Sequence, residues 1–238
     1  MSTNVFNTIP SNLFAYWLSK EVISNFQKGT RLGEIADARN GFTTGNNDLF
    51  LRLWYEIEIN KAYFNATDLI NAFYTGKKWF PYNKGGEYRK WYGNQDYLIN
   101  WFCDGKEIKE YNHLVPRSIN YMFYESVSWS KISSGNISFR FFPNGFMFDV
   151  AGLSMFFKEK YSDYNLYIMG FLNSDVCQHY LRAMSPTLNY ETGQISYLPI
   201  ILEDKDCVSD LVSDCKKTVQ EDWDSFETSW GFKKHPLI

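Results

Sequence analysis

Val127-Ser128-Trp129-Ser130-Lys131-Ile132, Ser138-Phe139-Arg140-Phe141-Phe142 and Phe146-Met147-Phe148-Asp149-Val150 follow one another, separated by Ser-Ser-Gly-Asn and Pro-Asn-Gly breaks. Each run is short, rich in aromatic and β-branched residues, and bounded by residues that favour turns, as strands are. Tyr97 to Phe102 reads the same way. From Lys77 to about Met147 the chain is a series of such runs with turns, not helices, between them. That spacing predicts an α+β fold with a twisted, partly barrel-like mixed sheet and flanking helices, not a doubly wound parallel sheet.

Working outward, Pro10-Ser11 opens a helical pattern with Leu13, Phe14, Trp17, Leu18, Val22 and Phe26 on one face, ended by Gly29. Leu32 to Ala38 reads as a short strand, and Asn40 to Asp48 as a loop of residues that tolerate positive φ. Leu49 to Ile59 alternates as a strand does. On the other side, Asn165 to Met184 carries Leu166, Met169, Leu172, Val176, Tyr180, Leu181 and Met184 at helical spacing. Gln194 to Ile201 is strand-like, and Asp206 to Trp223 is a polar helix expected to be largely exposed. The expected division is a main domain over residues 1–202 and an acidic helical extension over 203–238.

A chain of 238 residues with 45% hydrophobic and 21% charged residues can bury a full core. Its 19% aromatic content has two readings, ring-lined binding surfaces or a core built from Phe and Tyr. The net charge of −3 argues against a simple polyanion binder. It hides an asymmetry, however. Between Tyr74 and Gly93 stand Lys77, Lys78, Lys84, Arg89 and Lys90 against only Glu87, whereas Glu203 to Trp230 holds nine acids against three lysines. A local phosphate-binding face and a separate acidic surface fit this pattern.

Cys103, Cys177, Cys207 and Cys215 lack C-x-x-C spacing, and His113, His179 and His235 are far apart, so neither a zinc site nor a disulfide framework is expected. No signal-peptide pattern opens the chain and no apolar run has membrane-spanning length, so a cytoplasmic protein without membrane contact is expected. The sequence contains no G-x-x-x-x-G-K-[ST], G-x-S-x-G or H-E-x-x-H motif. Binding is therefore the expectation for this chain, not catalysis.

Two segments carry binding chemistry. In Lys77-Lys78-Trp79-Phe80-Pro81-Tyr82-Asn83-Lys84-Gly85-Gly86-Glu87-Tyr88-Arg89-Lys90-Trp91-Tyr92-Gly93, cations interleave with rings around a Gly-Gly turn. Lys, Arg and bare amides donate to phosphate oxygens while rings wedge or stack. A surface hairpin with half-buried rings beneath lysine stems is the other reading. In Ser128 to Arg140, hydroxyls, Asn136 and Arg140 surround a glycine turn; such groups read base edges, and they also make an ordinary hairpin loop. The loop from Thr43 to Arg52 has similar chemistry.

Taken together, Gly41-Phe42-Thr43-Thr44-Gly45-Asn46-Asn47-Asp48-Leu49-Phe50-Leu51-Arg52, Lys78 to Gly86 with Arg89 to Gly93, Trp129-Ser130 with Ser133-Ser134-Gly135, Phe148 to Gly152, and Asp222 to Trp230 with Phe232 resemble, in order, the C-terminal recognition region of the PglX family. These are adenine-specific DNA methyltransferases of BREX phage-defence systems. Asn173-Ser174 and Gly193 to Ile200 are similar to features of the recognition domains of Type I restriction specificity subunits.

The resemblance implies a Type I specificity-subunit-like target-recognition domain over residues 1–202. It would bind double-stranded DNA and present an adenine to a catalytic domain absent from this chain. That domain would use S-adenosylmethionine; no cofactor is expected in this chain, which lacks the glycine turn and the adenine-holding motif. The chain is expected to be either a portion of such a protein or a separately encoded piece. Chemistry then assigns phosphate contacts to Lys77, Lys78, Lys84, Arg89 and Lys90, and groove contacts to Thr44, Asn46, Asn47, Arg52, Asn136 and Arg140. Expected partners are DNA, the methyltransferase domain of the same parent protein and other BREX components. The alternative is a protein-interaction module whose aromatic face docks a BREX component or a phage protein.

Overall fold

A computed structural model describes residues 19–238 apart from 114–115, 185–186, 204, 236 and 238. The helix positions Leu13, Phe14, Trp17 and Leu18 lie outside the described residues. In chain order the elements are α1 (Lys20–Lys28), β1 (Thr30–Arg31), α2 (Leu32–Ile35), β2 (Ala36–Arg39), α3 (Asn47–Phe50), β3 (Leu51–Leu53), α4 (Leu69–Tyr74), β4 (Trp79–Asn83) and β5 (Tyr97–Asn100). There follow α5 (Phe102–Asn112), β6 (Ser126–Ser130), β7 (Phe139–Phe142), β8 (Met147–Phe148), β9 (Gly152–Phe157), α6 (Asn165–Leu172), α7 (Asp175–Met184), α8 (Thr192–Ser196), β10 (Pro199–Ile200) and α9 (Lys205–Trp223).

The strands form two four-stranded sheets, β2-β9-β6-β7 and β3-β5-β4-β8, with β1 and β10 paired separately. All pairings are antiparallel except β4 with β8, where Tyr82 faces Met147 and Asn83 faces Phe148. The expected α+β class with mixed sheet and flanking helices is what the chain adopts. The partly barrel-like expectation is corrected to open sheets; no closed barrel forms among the described residues.

Alternation explains the cores. In the first sheet Trp129, Phe139, Leu153 and Met155 face α6 and α7, packing with Ile168, Met169, Leu172 and Leu181. A second core gathers Phe42, Phe50, Phe80, Tyr82, Ile99, Trp101, Phe123, Met147 and Phe148. Many of the rings are therefore interior, at roughly 1.5–3 kcal/mol of burial for each large side chain.

A buried amide helps to join the sheets, beside the Phe148–Phe156 ring contact. Asn83 Nδ2 donates to Ser128 Oγ at 2.6 Å and to the Gly152 carbonyl at 3.2 Å, and its Oδ1 accepts from Gly85 N at 3.0 Å. A Cβ on Gly152 would stand 2.5 Å from Asn83 Oδ1 and 2.6 Å from Gly85 N, so only glycine permits this approach.

Several elements differ from the periodicity reading, through side-chain caps or long-range main-chain bonds such as Leu32 N to Leu198 O at 2.9 Å. Asn46 caps α3, and Glu56 accepts from Leu53 N at 2.8 Å to close a turn of 3-10 helix over Trp54–Glu56, so the expected strand over Leu49 to Ile59 shrinks to β3. Leu32 to Ala38 begins as the short helix α2 and becomes strand only from Ala36. The helix expected over Asn165 to Met184 breaks at Asn173, whose Oδ1 accepts from Phe139 N at 3.0 Å and whose Nδ2 donates to Phe139 O at 2.9 Å. Ser174 Oγ then accepts from Cys177 N, starting α7. Gln194 accepts from Glu191 N at 2.8 Å, making helix α8 where strand was expected.

Helix α9 is not exposed all round. Val212 and Trp223 are buried, and Gly170 of α6 lies so close that a Cβ there would meet Val212 at 2.8 Å. Beyond α9 the chain crosses to the second sheet, where Trp54 Nε1 donates to the Thr228 carbonyl at 2.8 Å and Trp230 packs on Phe64 and Phe146.

Candidate nucleic-acid interface

The loop before α3 is tied by its own polar groups. Thr44 is fully buried and its hydroxyl donates to Asn47 Oδ1 at 2.7 Å; Asn46 Oδ1 accepts from Leu49 N and its amide reaches Tyr111 Oη at 3.4 Å. This holds Asn47 beside Lys84, whose ammonium is 3.4 Å from Asn47 Oδ1 and 2.6 Å from Asp149 Oδ2. Arg52 folds back on the carbonyls of Asp48 and Leu51 at 2.6 Å. Between them opens a cleft of about 500 Å³ lined by Asn47, Asp48, Arg52, Glu56, Lys84 and Tyr97. Arg52 and Lys78 both address the Trp79 ring, at 5.9 and 5.8 Å, so cations run from the cleft along β4 to its start.

A second groove, of about 250 Å³, lies where the Gly86-Glu87-Tyr88 turn meets the β6–β7 hairpin. Arg140 sits beneath this junction with no exposed surface, donating to Glu87 O at 3.0 Å and to Ser130 Oγ at 2.6 Å. Burial, and then the like charge of Arg89, pull its pKa down to about 10, which leaves it cationic at neutral pH. It binds the two sequence segments to each other from inside. Asn136 on the hairpin accepts from Arg182 at 2.7 Å.

The other cations are dispersed. Lys77 Nζ donates to the Asn60 carbonyl. Arg89 lies 4.9 Å over Trp223 and 3.9 Å from Asp222, and Lys90 donates to the Asn173 carbonyl at 2.7 Å, at the end of α6. The fold thus brings Asn47, Arg52 and Lys84 together with Thr44 and Asn46 behind them. It places Asn136 and Arg140 at the second groove, Lys77 and Lys78 at the start of β4, and Arg89 and Lys90 against α9 and α6. Glu56, Tyr97 and Asp149 escaped the sequence reading; only their meeting in space, not any local spacing, marks them. No group of side chains suited to a metal ion occurs among the described residues, and no helix there is long and apolar enough to cross a membrane.

No family model matches the chain. Its relatives are adenine-specific methyltransferases, as the resemblance implied. It is 40% identical over 241 residues to the adenine-specific methyltransferase PglX of Lacticaseibacillus casei (strain Zhang), covering 98% of this chain and 20% of that protein. It is 37% identical over 237 residues to the adenine-specific methyltransferase BrxX of Escherichia coli O9:H4 (strain HS), covering 99% of this chain and 19% of that protein. The chain thus spans about one fifth of the length of the curated relatives it matches.

Proposed function

We propose that this chain reads duplex DNA for an adenine-specific methyltransferase, positioning a target adenine for a catalytic domain that lies outside it. The observation that carries this reading is the cleft joining Asn47, Arg52 and Lys84, in a chain whose whole length matches one stretch of such enzymes. An amide and a guanidinium in a cleft can meet base edges, while an ammonium beside them meets a phosphate. Residues 1–202 would form the recognition domain, of the Type I specificity-subunit kind, with 203–238 as its extension. The proposed contacts are Asn46, Asn47, Arg52 and Asn136 toward bases and Lys77, Lys78, Lys84, Arg89 and Lys90 toward phosphates; Thr44 and Arg140, both buried, would act through the loops they hold.

S-adenosylmethionine would belong to the rest of the protein. The residues of this chain do not fit it: among the described strands only β4 and β8 of the named elements run parallel, and no glycine turn leads from a strand into a helix beside them to cradle the cofactor.

Fluorescence anisotropy with random-sequence duplex DNA at several salt concentrations tests the reading. Neutralising each phosphate contributes about −0.9 to the log–log salt slope, so a slope of roughly −3 to −5 is expected. Arg52→Ala should then lower the preference of the chain among sites more than its affinity for random DNA. Binding that is absent at low salt, or indifferent to salt, refutes the proposal and favours a protein-docking module.

A further inference from the structure

Helix α4 presents an apolar face that the fold leaves uncovered. Ile70, Phe73 and Tyr74 are 70%, 53% and 81% exposed and share one helical face by their spacing. The Phe73 and Tyr74 rings meet edge to face, with centroids 5.6 Å apart. Leaving three such side chains in water is costly, and the helix that carries them is held firmly. Asp68 Oδ1 accepts from Asn71 N at 2.7 Å, Ala72 is buried in the second core, and the Thr75 hydroxyl donates to Ala72 O at 2.7 Å.

The chain then turns through Gly76, at φ +64° in open space, and Lys77 and Lys78 follow three and four residues after Tyr74. Among the described residues neither lysine is in an ion pair. Lys77 is aimed by the Asn60 carbonyl, and Lys78 lies near the Trp79 ring. Exposed rings flanked by uncompensated ammonium groups match a polyanion with flat apolar faces inside it, which is duplex DNA.

We infer that Tyr74, backed by Phe73, is a wedge that enters a base step of duplex DNA while Lys77 and Lys78 hold the phosphates on either side. This rests on the proposed DNA-reading function and adds to it a deformation of the bound duplex. Inserting a ring between base pairs unstacks them and kinks the helix, and the rigid seat of α4 lets the ring enter without ordering a loop first. The wedge lies near the start of β4, and Arg52 of the cleft reaches toward it, sharing the Trp79 ring with Lys78.

The test uses duplexes carrying 2-aminopurine at successive positions, because its fluorescence rises when neighbouring bases unstack. Saturating wild-type chain should raise the emission of duplexes probed at the wedge step. The double variant Phe73→Ala, Tyr74→Ala should remove the rise and weaken binding about ten- to a hundredfold. Lys77→Gln with Lys78→Gln should instead flatten the salt slope by about 1.8, two phosphates' worth, and keep the rise at saturation. All four positions are partly or fully exposed, and matched circular dichroism melts confirm folding. Salt-dependent binding by the wild type with no emission change at any position overturns the wedge while leaving the DNA-reading function standing. A double variant that binds DNA as the wild type does assigns the patch to a protein partner and also overturns it. Absence of any salt-dependent DNA binding overturns both.

Discussion

The ammonium of Lys84 stands 2.6 Å from Oδ2 of Asp149, a carboxylate whose side chain is 1% exposed and which also accepts from Tyr82 Oη at 2.8 Å and from Ala151 N at 2.8 Å. A lysine that reads from sequence as a phosphate contact therefore also neutralises a buried charge. Lys84→Ala should cost about 1.5–3 kcal/mol, since the carboxylate keeps two donors. Asp149→Ala should cost about 3–5 kcal/mol, because it removes the buried partner of the Lys84 ammonium, while Tyr82 Oη keeps the Phe42 carbonyl at 2.7 Å. Urea denaturation measures both; a neutral Lys84→Ala would show that the pair contributes nothing to folding. Any loss of DNA affinity in Lys84→Ala should be measured where the variant remains folded.

Arg140 predicts a contrast between a side chain and its neighbour. Its guanidinium donates to the carbonyls of Glu87 and Arg89, not to the Glu87 carboxylate. Arg140→Ala should cost about 3 kcal/mol or more, by freeing buried carbonyls and leaving a void. Glu87→Ala should stay within about 0.5 kcal/mol, as surface changes do. Thermal melts of the two variants decide the matter, and similar losses in both would place the carboxylate in the contact.

The Asn173 amide serves the Phe139 backbone at both its N–H and its C=O, as a neighbouring strand would. Asn173→Ala should cost about 2–4 kcal/mol, two buried main-chain groups losing a partner. Asn173→Asp keeps an acceptor for Phe139 N but faces a carboxylate oxygen to Phe139 O, so it should not recover the loss. Chemical denaturation that shows less than about 1 kcal/mol for the alanine variant would mean that water replaces the clamp.

Tyr92 governs behaviour in alkali. Burial first, and then the negative charge of Asp224, push its hydroxyl up to about 12 from the ordinary 10.0. The folded state therefore holds the proton longer than the unfolded state. Its contribution is fully present below pH 10 and is lost as the pH rises toward 12. Denaturation midpoints taken across that window should fall less steeply in Tyr92→Phe than in the wild type. Tyr82, raised for the same reason and by Asp149, adds to the fall in both proteins. An identical slope with and without the hydroxyl would remove Tyr92 from the account.

Strands β6 and β7 were legible because their runs alternate and end in turn residues, and α9 because its polar pattern is long. The short helices α2 and α8 and the break at Asn173 were not, since each depends on side-chain or long-range bonds that periodicity does not encode. The same limit applied to the interface. Thr44, Asn46, Asn47 and Arg52 are close in sequence and were read as one loop, but their meeting with Lys84 needs β4 beside α3. Arg140 alternates with Phe139 and Phe141 and so reads as solvent-facing; the segment from Glu87 to Trp91 covers that side and seals it in. Aromatic content gave no warning, because rings serve the cores and the α4 surface alike.

The Asn83 amide, seated against Gly152, is one place where the two sheets are pinned together. The larger cleft hangs from the second sheet, and the groove beneath the β6–β7 hairpin hangs mostly from the first. Together with the Phe148 and Phe156 rings, whose centroids lie 5.4 Å apart, the amide ties the sheets from inside, so the loops that line the cleft and the groove rest on a frame held apart from their exposed side chains. Under the proposed function, changes in those exposed side chains would alter what the loops contact while the asparagine, and the glycine that receives it, keep the frame as it is.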